Sequence, residues 1–334
     1  MQHIRENTRQ RPQQERATAV STFPREIDER PQVRTNMRWH APAICAIALL
    51  VAWALFLLTG GLATSSIQRT LPTQAFSLNG HGRLVVNETS GSIHIHPGSA
   101  GQIVVRGNVH TASLAGSVRD PQVQYVQNGN TVTVTTSEDW MLLSWSEVML
   151  DITTPANVDL SIHTTSANAV IENIAGSIYA SASSGNLDLH NTDGLLNLST
   201  SSGDVNLTDE RGPLKARTTS GNISAAGLNG TVDLSTTSGN ITLAQAQLGG
   251  VDQLHTSSGD ISFSGALDAR GSYRMETSSG NITLQLPAAS SFQLNASSNS
   301  GELHNEFATD MVGGTPQAHL GLQTSSGNID IHRQ

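Results

Sequence analysis

A short motif, Thr-Ser/Thr-Ser-Gly followed by Asn or Asp, recurs along the second half of the chain. Successive motif glycines are separated by 18, 18, 18, 20, 21, 21 and 26 residues. They are Gly185, Gly203, Gly221, Gly239, Gly259, Gly280, Gly301 and Gly327. A sustained period of this length is the signature of a solenoid, in which each repeat forms one coil stacked on the next. The repeat therefore constrains the fold more strongly than any local feature.

Apolar and polar residues alternate after each motif glycine, which is typical of a strand with one buried face. The third position, counting the glycine as the first, is Leu187, Val205, Ile223, Ile241, Ile261, Ile282, Leu303 and Ile329. A second glycine within the 18-residue coils predicts another turn. We therefore expect an all-β, parallel β-solenoid resembling a β-helix, with coils of 18–21 residues and an undetermined cross-section.

The polar residues of the motif are expected to be structural. Ser, Thr and Asn side chains bond nearby backbone groups in turns, and side chains stacked in register can form ladders. A nucleophilic serine would be singular and paired with a base, whereas these serines recur in every coil. The predicted turn ladder consists of the motif glycines with Asn186, Asp204, Asn222, Asn240, Asp260 and Asn281. The same stacking makes Lys215 and Asp233 lateral neighbours on the outer surface.

The solenoid domain is expected to span residues 74–334, after a linker over 64–73. Its regular repeats occupy 149–334, and its irregular first part, 74–148, is expected to cap the stack, because a solenoid must hide its open strand edges. The letters QNGN at 127–130 predict a hairpin within this first part.

An apolar segment, DWMLLSWSEV at 139–148, interrupts the polar pattern. It contains Trp140, Met141, Leu142 and Trp145. Two interpretations remain open: a cap or hairpin that packs on the coil stack, and an exposed patch for a partner or a membrane surface.

Residues 41–63 contain 23 consecutive residues without a charge, enough to cross a bilayer as a helix. Eight arginines precede the run, so the positive-inside rule predicts a disordered cytoplasmic tail over 1–40 and an extracytoplasmic C-terminal domain. A single-pass signal anchor in the cell membrane is the favoured interpretation. The alternative is a signal peptide cleaved near Gly61–Ala63.

The charge distribution disfavours a nucleic-acid partner. The chain has a net charge of −9, and residues 64–334 hold 22 acids against 10 basic residues, of which only Lys215 is a lysine. Phosphate binding requires clustered Lys and Arg. The lone cysteine, Cys45, excludes an intramolecular disulfide.

Few residues are candidates for metal binding or catalysis. His94 and His96 share one strand face as a possible metal pair, but no carboxylate or cysteine stands at a helpful spacing, so we expect no metal, cofactor or catalytic residue. Asp204, Asp209 and Glu210 could serve a carbohydrate-active enzyme on a β-helix. They are more typical of an ordinary charged turn.

The letters VMLDITTPANVDLSIHTTSANAVI at 148–171, followed by repeated T-[ST]-S-G-[ND]-[ILV], resemble a bacterial domain family of unknown function labelled putative adhesin. The chain is also similar to the head-domain family of putative autotransporter adhesins. The resemblance covers about 74–334 and implies an exported β-solenoid, often behind one membrane helix, without catalytic residues. Ala167 replaces the motif glycine in one coil, where the turn is expected to differ.

These observations favour a membrane-anchored, non-enzymatic surface protein, acting as an adhesin or a cell-envelope scaffold. An envelope protein or a polysaccharide is the expected partner, and the oligomeric state is left open. Because some relatives are linked to envelope stress, an accessory role in stress signalling is the first alternative. The carbohydrate-active enzyme is the second.

Overall fold

Alternating burial runs through nearly every strand, as the sequence pattern requires. The computed structural model describes Val51 and residues 65–113, 121–137 and 144–334. Within the described residues, no helix is long and apolar enough to cross a membrane. The tail predicted at 1–40, nearly all of the apolar run at 41–63, and Trp140, Met141 and Leu142 lie outside the described residues.

The described strands fall into three groups along the chain. The first group is β1 (Ser65–Thr70), β2 (Gln74–Ser77), β3 (Gly82–Glu88), β4 (Gly91–Pro97), β5 (Gln102–Ser113), β6 (Gln122–Asn128), β7 (Thr131–Ser137) and β8 (Ser144–Thr154). The middle group is β9 (Val158–Thr164), β10 (Asn168–Glu172), β11 (Ile178–Ala182), β12 (Leu187–His190), β13 (Leu196–Thr200), β14 (Val205–Thr208), β15 (Leu214–Thr218), β16 (Ile223–Ala226), β17 (Asn229–Gly230), β18 (Val232–Ser238), β19 (Ile241–Leu248), β20 (Val251–Ser258), β21 (Ile261–Leu267), β22 (Ser272–Ser279) and β23 (Ile282–Leu286). The last group is β24 (Phe292–Ser300), β25 (Leu303–Asn305), β26 (Met311–Val312), β27 (Ala318–Ser326) and β28 (Ile329–Arg333).

The described strands form two sheets, of 15 strands (sheet 1) and 13 strands (sheet 2). Each coil places one strand in each sheet, and equivalent strands of successive coils pair in parallel; β11, for example, pairs with β13 and β13 with β15. Eleven such coils stack in the described part of the chain, from β7/β8 to β24/β25. The predicted parallel solenoid is confirmed.

A short third side completes the coils of the middle group. Single parallel bridges connect Asn157, Ala175, Asp193, Arg211 and Asn229 in successive coils. The adjacent glycines turn the chain here: Gly194 has φ 135° and Gly212 has φ 109°, values that L residues rarely adopt. The cross-section, which the sequence left open, therefore has two strand sides and one short side.

The core is a set of apolar columns between the sheets. One column in sheet 2 is Ile178, Leu196, Leu214 and Val232, all at most 3% exposed. The third-position residues predicted to point inward are buried, with one exception: Leu303 is 48% exposed. Leu303 lies on β25, the edge strand of sheet 1, so no further coil covers it.

The first part of the domain joins the stack out of sequence order. The coil β3/β4 lies between β9/β10 and β7/β8, so the chain builds an inner coil before the outer one. Strands β5 and β6 then pair antiparallel with β8 and β7 and close this end, as the predicted cap requires. The hairpin predicted at QNGN is confirmed between β6 and β7.

The predicted linker at 64–73 is wrong. Residues 65–70 form β1, which pairs antiparallel with the long strand β5 from Ser65↔Ser113 to Thr70↔Asn108. Because β5 would otherwise present an open edge, β1 extends the cap instead of connecting two units.

The other end also departs from the predicted sequential stacking. Coil β27/β28, which contains the last motif, inserts between β22/β23 and β24/β25. Gly301 therefore stacks on Gly327, and Gly327 stacks on Gly280. The 26-residue spacing between Gly301 and Gly327 reflects this change of order, which spacing alone did not reveal.

Candidate functional site

Each motif glycine lies against a backbone carbonyl of a neighbouring coil, which belongs to another motif glycine in every case except Gly185, where it belongs to Ala167. A Cβ atom built on Gly221 would lie 1.9 Å from the Gly203 oxygen, and one on Gly203 would lie 2.0 Å from the Gly185 oxygen. Of the motif glycines, only Gly327 has a positive φ. Close backbone approach therefore requires glycine here, and unusual dihedral angles are a minor factor.

The threonine of the motif bonds this same glycine column. The Thr200 hydroxyl donates to the Gly185 carbonyl at 3.2 Å and accepts from the Gly203 N–H at 3.1 Å. The donor bond recurs from Thr218 to Gly203, from Thr236 to Gly221, from Thr256 to Gly239, from Thr277 to Gly259 and from Thr324 to Gly280. The side chains of these threonines are buried, so the hydroxyl satisfies backbone groups that water cannot reach.

The residues after the glycines form a ladder in which each side-chain oxygen accepts a backbone N–H of the next coil. The Oδ1 atom of Asn186 accepts the backbone N–H of Asp204 at 2.9 Å, and Oδ1 of Asp204 accepts the N–H of Asn222 at 2.7 Å. The same bond continues through Asn240, Asp260, Asn281 and Asn328. Asn and Asp both serve because this backbone bond needs only an oxygen acceptor, although Asn222 Nδ2 also donates to Asp204 Oδ1 at 3.2 Å.

The coil in which Ala167 replaces the glycine retains this corner. The Thr164 hydroxyl accepts the Ala167 N–H at 2.7 Å, as Thr200 does for Gly203. The expected difference in this turn is therefore not seen in this hydrogen bond.

The charged turn at 208–211 separates the carboxylates proposed for sugar chemistry. Asp204 lies in the ladder at the start of β14, whereas Asp209 and Glu210 follow the end of that strand. Glu210 is not a surface residue, because its side chain is only 1% exposed. The expectation of an ordinary charged turn is wrong for this residue.

Glu210 occupies the interior next to the short third side. Its Oε2 atom accepts the backbone N–H of Thr192 at 3.0 Å and also the Thr192 hydroxyl. Burial raises the pKa of Glu210 to about 7, although the Thr192 bonds oppose the shift. The carboxyl group therefore loses its proton near neutral pH.

A second buried carboxyl group lies two coils away. Asp252, fully buried, accepts the Val232 N–H through Oδ1 at 2.5 Å, and burial raises its pKa to about 6. The neighbouring Tyr273 hydroxyl donates to the carbonyls of Leu248 and Asp268, each at 3.0 Å. Burial first, and then the charge of Asp252, raise the pKa of Tyr273 to about 12. Both groups are enclosed in the core, away from any ligand in solvent.

Trp145 is the one member of the predicted partner patch within the described residues. It lies on β8 with 58% of its surface exposed, and Met149 on the same face is 36% exposed. The alternation of β8 directs both side chains outward, because Val148 and Leu150 are buried. Trp145 therefore does not pack inside the coil stack.

Lys215 and Asp233 are lateral neighbours, as predicted. Lys215 Nζ lies 2.8 Å from Asp233 Oδ2, and Arg217 approaches the same oxygen at 3.4 Å. All three side chains are 41–55% exposed, so these pairs contribute little stability.

A shallow groove crosses the outer face of sheet 2 around Gly321. This residue lies on β27 directly between Arg274 on β22 and Asn295 on β24. A Cβ atom on Gly321 would meet only the Tyr273 oxygen, at an ordinary 3.7 Å. Packing therefore does not require glycine, and its missing side chain leaves a groove of about 320 Å³ lined also by Gln293 and His319. Sequence analysis missed this groove because Gly321 lies outside the motif.

Among the histidines that the structure describes, two clusters bring rings and carboxylates together. His332 lies 3.0 Å from Glu306, with the His304 ring 6.4 Å away. His94 and His96 share the outer face of β4, as predicted, and β8 brings Asp151 alongside them. The expectation that no carboxylate joins this pair is wrong, because pairing between β4 and β8 joins residues far apart in sequence.

Solved structures offer distant likenesses. A putative cell adhesion protein from Clostridium sporogenes shares 10% identity with a TM-score of 0.23, over 81% of this chain and 100% of that chain. A putative adhesin from Bacteroides fragilis shares 10% identity with a TM-score of 0.27, over 79% and 97%. A putative adhesin from Parabacteroides distasonis shares 10% identity with a TM-score of 0.30, over 80% and 97%. Because these TM-scores are low, they carry no inference about this chain.

A comparison with curated proteins found no significant match. The Toastrack DUF4097 domain family matches residues 81–332, three-quarters of the chain and nearly all of the coil stack. The matched region agrees with the all-β, solenoid-like architecture and with the resemblance inferred from the motif. The chain therefore belongs to the Toastrack DUF4097 family.

Proposed function

We propose that this chain is a membrane-anchored, non-enzymatic surface protein whose solenoid binds a cell-envelope polysaccharide, as an adhesin or a scaffold. The charge-free run at 41–63 would anchor it, with residues 1–40 in the cytoplasm and the coils outside. The observation that carries the binding proposal is the groove at Gly321.

Gly321 is unexpected in the middle of a strand. Glycine lowers strand stability because it has no side chain to pack and loses the most backbone freedom on folding. Where close backbone approach does not require glycine, a site for an approaching ligand is a recognised reason for its presence. The flanking strands are ordered by continuous pairing from Ser272↔His319 to Ser279↔Ser326. The groove therefore has a rigid floor.

The lining is polar and suits a polyhydroxylated ligand. Arg274 is 64% exposed and pairs with Glu276, so it presents a guanidinium beside a carboxylate. Asn295 faces Arg274 across Gly321, and Glu276, Gln323 and Ser297 line the adjoining part of the surface. These groups offer both donors and acceptors at close spacing, which matches the alternating hydroxyl and ring oxygens of a sugar. The groove is shallow, so it fits one extended chain better than an enclosed small molecule.

Binding is tested with the full chain and polysaccharide fractions isolated from the cell envelope. We expect concentration-dependent retention of the parent chain, and loss of retention in Arg274→Gln. The matched control is Arg217→Gln, because Arg217 is another exposed arginine on the same sheet, distant from the groove. Absence of retention of the parent chain on every fraction would overturn the proposal.

A second candidate, a contact with an envelope protein, is favoured by Trp145. An exposed tryptophan and an exposed methionine on the same strand face are typical of protein interfaces, where aromatic residues and methionine are enriched. Chemical crosslinking in cells, with the parent chain and Trp145→Ala compared, tests it. Capture of one envelope protein by the parent chain but not by Trp145→Ala would support this role, and capture of none would remove it.

A further inference from the structure

Three potential metal ligands lie together on the outer face of sheet 1. His94 and His96 occupy alternate positions of β4, so both side chains point outward while Ile93 and Ile95 anchor the strand in the core. Strand β8 pairs with β4 in the register His94↔Asp151. The central position of β4, between β8 and β10, holds this arrangement on a rigid sheet.

The ligand atoms have a separation that suits a small divalent cation. His96 Nε2 lies 3.0 Å from Asp151 Oδ1, and His94 Nδ1 lies 3.6 Å from the same oxygen. The three ligand atoms lie within 4.8 Å of one another. Tetrahedral zinc, with bonds of about 2.0–2.2 Å, places its ligand atoms about 3.4 Å apart. Small side-chain rotations would therefore bring all three atoms into coordination.

Each candidate ligand also has an outer partner. His94 Nε2 lies 3.6 Å from Glu172, and His96 Nδ1 lies 3.4 Å from the Pro97 carbonyl. Metal-binding histidines characteristically donate their second ring N–H to a carboxylate or a backbone carbonyl, which fixes the tautomer and orients the ring. The second oxygen of Asp151 lies 3.7 Å from Arg106.

We propose that His94, His96 and Asp151 form a binding site for a divalent transition-metal ion such as Zn²⁺. Two imidazoles and one carboxylate favour zinc, copper or nickel over calcium and magnesium, which prefer oxygen ligands. All three residues are partly exposed, so a fourth coordination position is left to water or to a ligand atom from a partner. This site is separate from the groove, because it lies on the opposite sheet.

The experiment is a titration of the full chain, purified without a polyhistidine tag and stripped with a chelator. We expect one equivalent of Zn²⁺ to bind in calorimetry, and Co²⁺ to produce visible absorption bands that Zn²⁺ abolishes and Ca²⁺ does not. His96→Ala and Asp151→Asn should remove this binding. Glu172→Gln should weaken it about tenfold, the usual result of losing an outer partner.

The matched control is His163→Ala, because His163 is an exposed histidine on sheet 2. Its titration should superimpose on that of the parent. Zinc should also raise the unfolding temperature of the parent but not of Asp151→Asn, which separates metal binding from misfolding. Absence of stoichiometric binding by the parent, or equal binding by His96→Ala and His163→Ala, would overturn the proposal.

Discussion

The motif corner and the outer face of sheet 2 both depend on glycine, for opposite reasons. At the corner, a Cβ atom on Gly221 would lie 1.9 Å from a backbone oxygen of the next coil, so glycine is required for stacking. On the outer face, Gly321 meets nothing closer than 3.7 Å. Coil stacking therefore requires glycine at position 221, whereas packing does not require it at position 321.

This difference distinguishes residues that hold the coils together from residues that are available to bind a ligand. The motif directs its threonine hydroxyls and its Asn or Asp oxygens to backbone groups of adjacent coils, so the most repetitive residues are committed to stability. Surfaces that can differ between relatives without unfolding the stack lie outside the motif. Function is therefore expected where the repeat is broken, as at Gly321.

The largest expected effect comes from Gly221→Ala. The added methyl group would overlap the Gly203 oxygen, and the coils must separate or shift to relieve it. We expect the free energy of unfolding to fall by about 3 kcal/mol, the upper end of the usual cost of overpacking, in urea denaturation. The matched substitution, Gly321→Ala, should leave it unchanged or raise it by about 0.5–1 kcal/mol. Equal stability of the two variants would remove the distinction.

A slightly smaller effect is expected from Glu210, a buried carboxyl group in the coil interior. Its pKa is about 7 in the folded chain against an ordinary 4.5, so the folded state binds more protons between these values. The contribution of Glu210 to stability is therefore fully present below about pH 4.5, and about 3 kcal/mol of it is lost as the pH rises through 7.

Glu210→Gln should remove most of this decline, leaving a smaller one of the same sign from Asp252. Urea denaturation at several values between pH 5 and pH 8 measures the free energy of unfolding of both chains, and the difference between the two profiles reports the titration of the buried Glu210 carboxyl group. The control is Glu147→Gln, on the exposed face of β8. A pH profile of Glu210→Gln identical to the parent's would show that the carboxyl group is not buried as described.

Thr200→Val tests the hydrogen bonds of the corner at nearly constant shape. The change removes one bond to the Gly185 carbonyl and one from the Gly203 N–H, leaving both backbone groups unsatisfied. We expect a loss of about 1–3 kcal/mol in the free energy of unfolding. Ser199→Ala, one residue earlier and facing solvent, should change it by less than about 0.5 kcal/mol. A loss at Ser199 as large as that at Thr200 would contradict the assignment.

Trp145→Ala is expected to have the smallest effect on stability. Its side chain is 58% exposed, so truncation leaves no cavity in the core. The thermal unfolding midpoint should match that of the parent, with a change below about 0.5 kcal/mol. Unfolding of this variant would instead assign Trp145 to the cap, and the contact with an envelope protein would lose its support.

The sequence predicted the regular part of the fold well, for a physical reason. Alternation with period two places Ile223 and Ala225 inside, and a constant spacing of 18 residues stacks equivalent positions. In this region the alternation of residues along the chain and the constant spacing together predict which residues contact each other between coils. The corner was predicted as structural, although the Thr200 hydroxyl bond and the ladder geometry required coordinates.

The ends and the candidate sites were less predictable because they depend on pairing between distant segments. Nothing local distinguishes β28, which inserts beneath β25, from a strand that stacks last. Asp151 is 55 residues from His96, and only the pairing of β4 with β8 brings them together. In the sequence Gly321 cannot be distinguished from other strand glycines, and only the structure shows the open groove next to it.

The most direct measurement is the retention of Gly321→Gln on the polysaccharide fraction that retains the parent chain, with Ser181→Gln as the matched control. Ser181 is an exposed residue of sheet 2 on a distant coil. We expect both variants to unfold at the same urea concentration as the parent, while only Gly321→Gln, with its groove filled, loses retention. Undiminished retention of Gly321→Gln, or equal loss in both variants, would contradict binding at the groove.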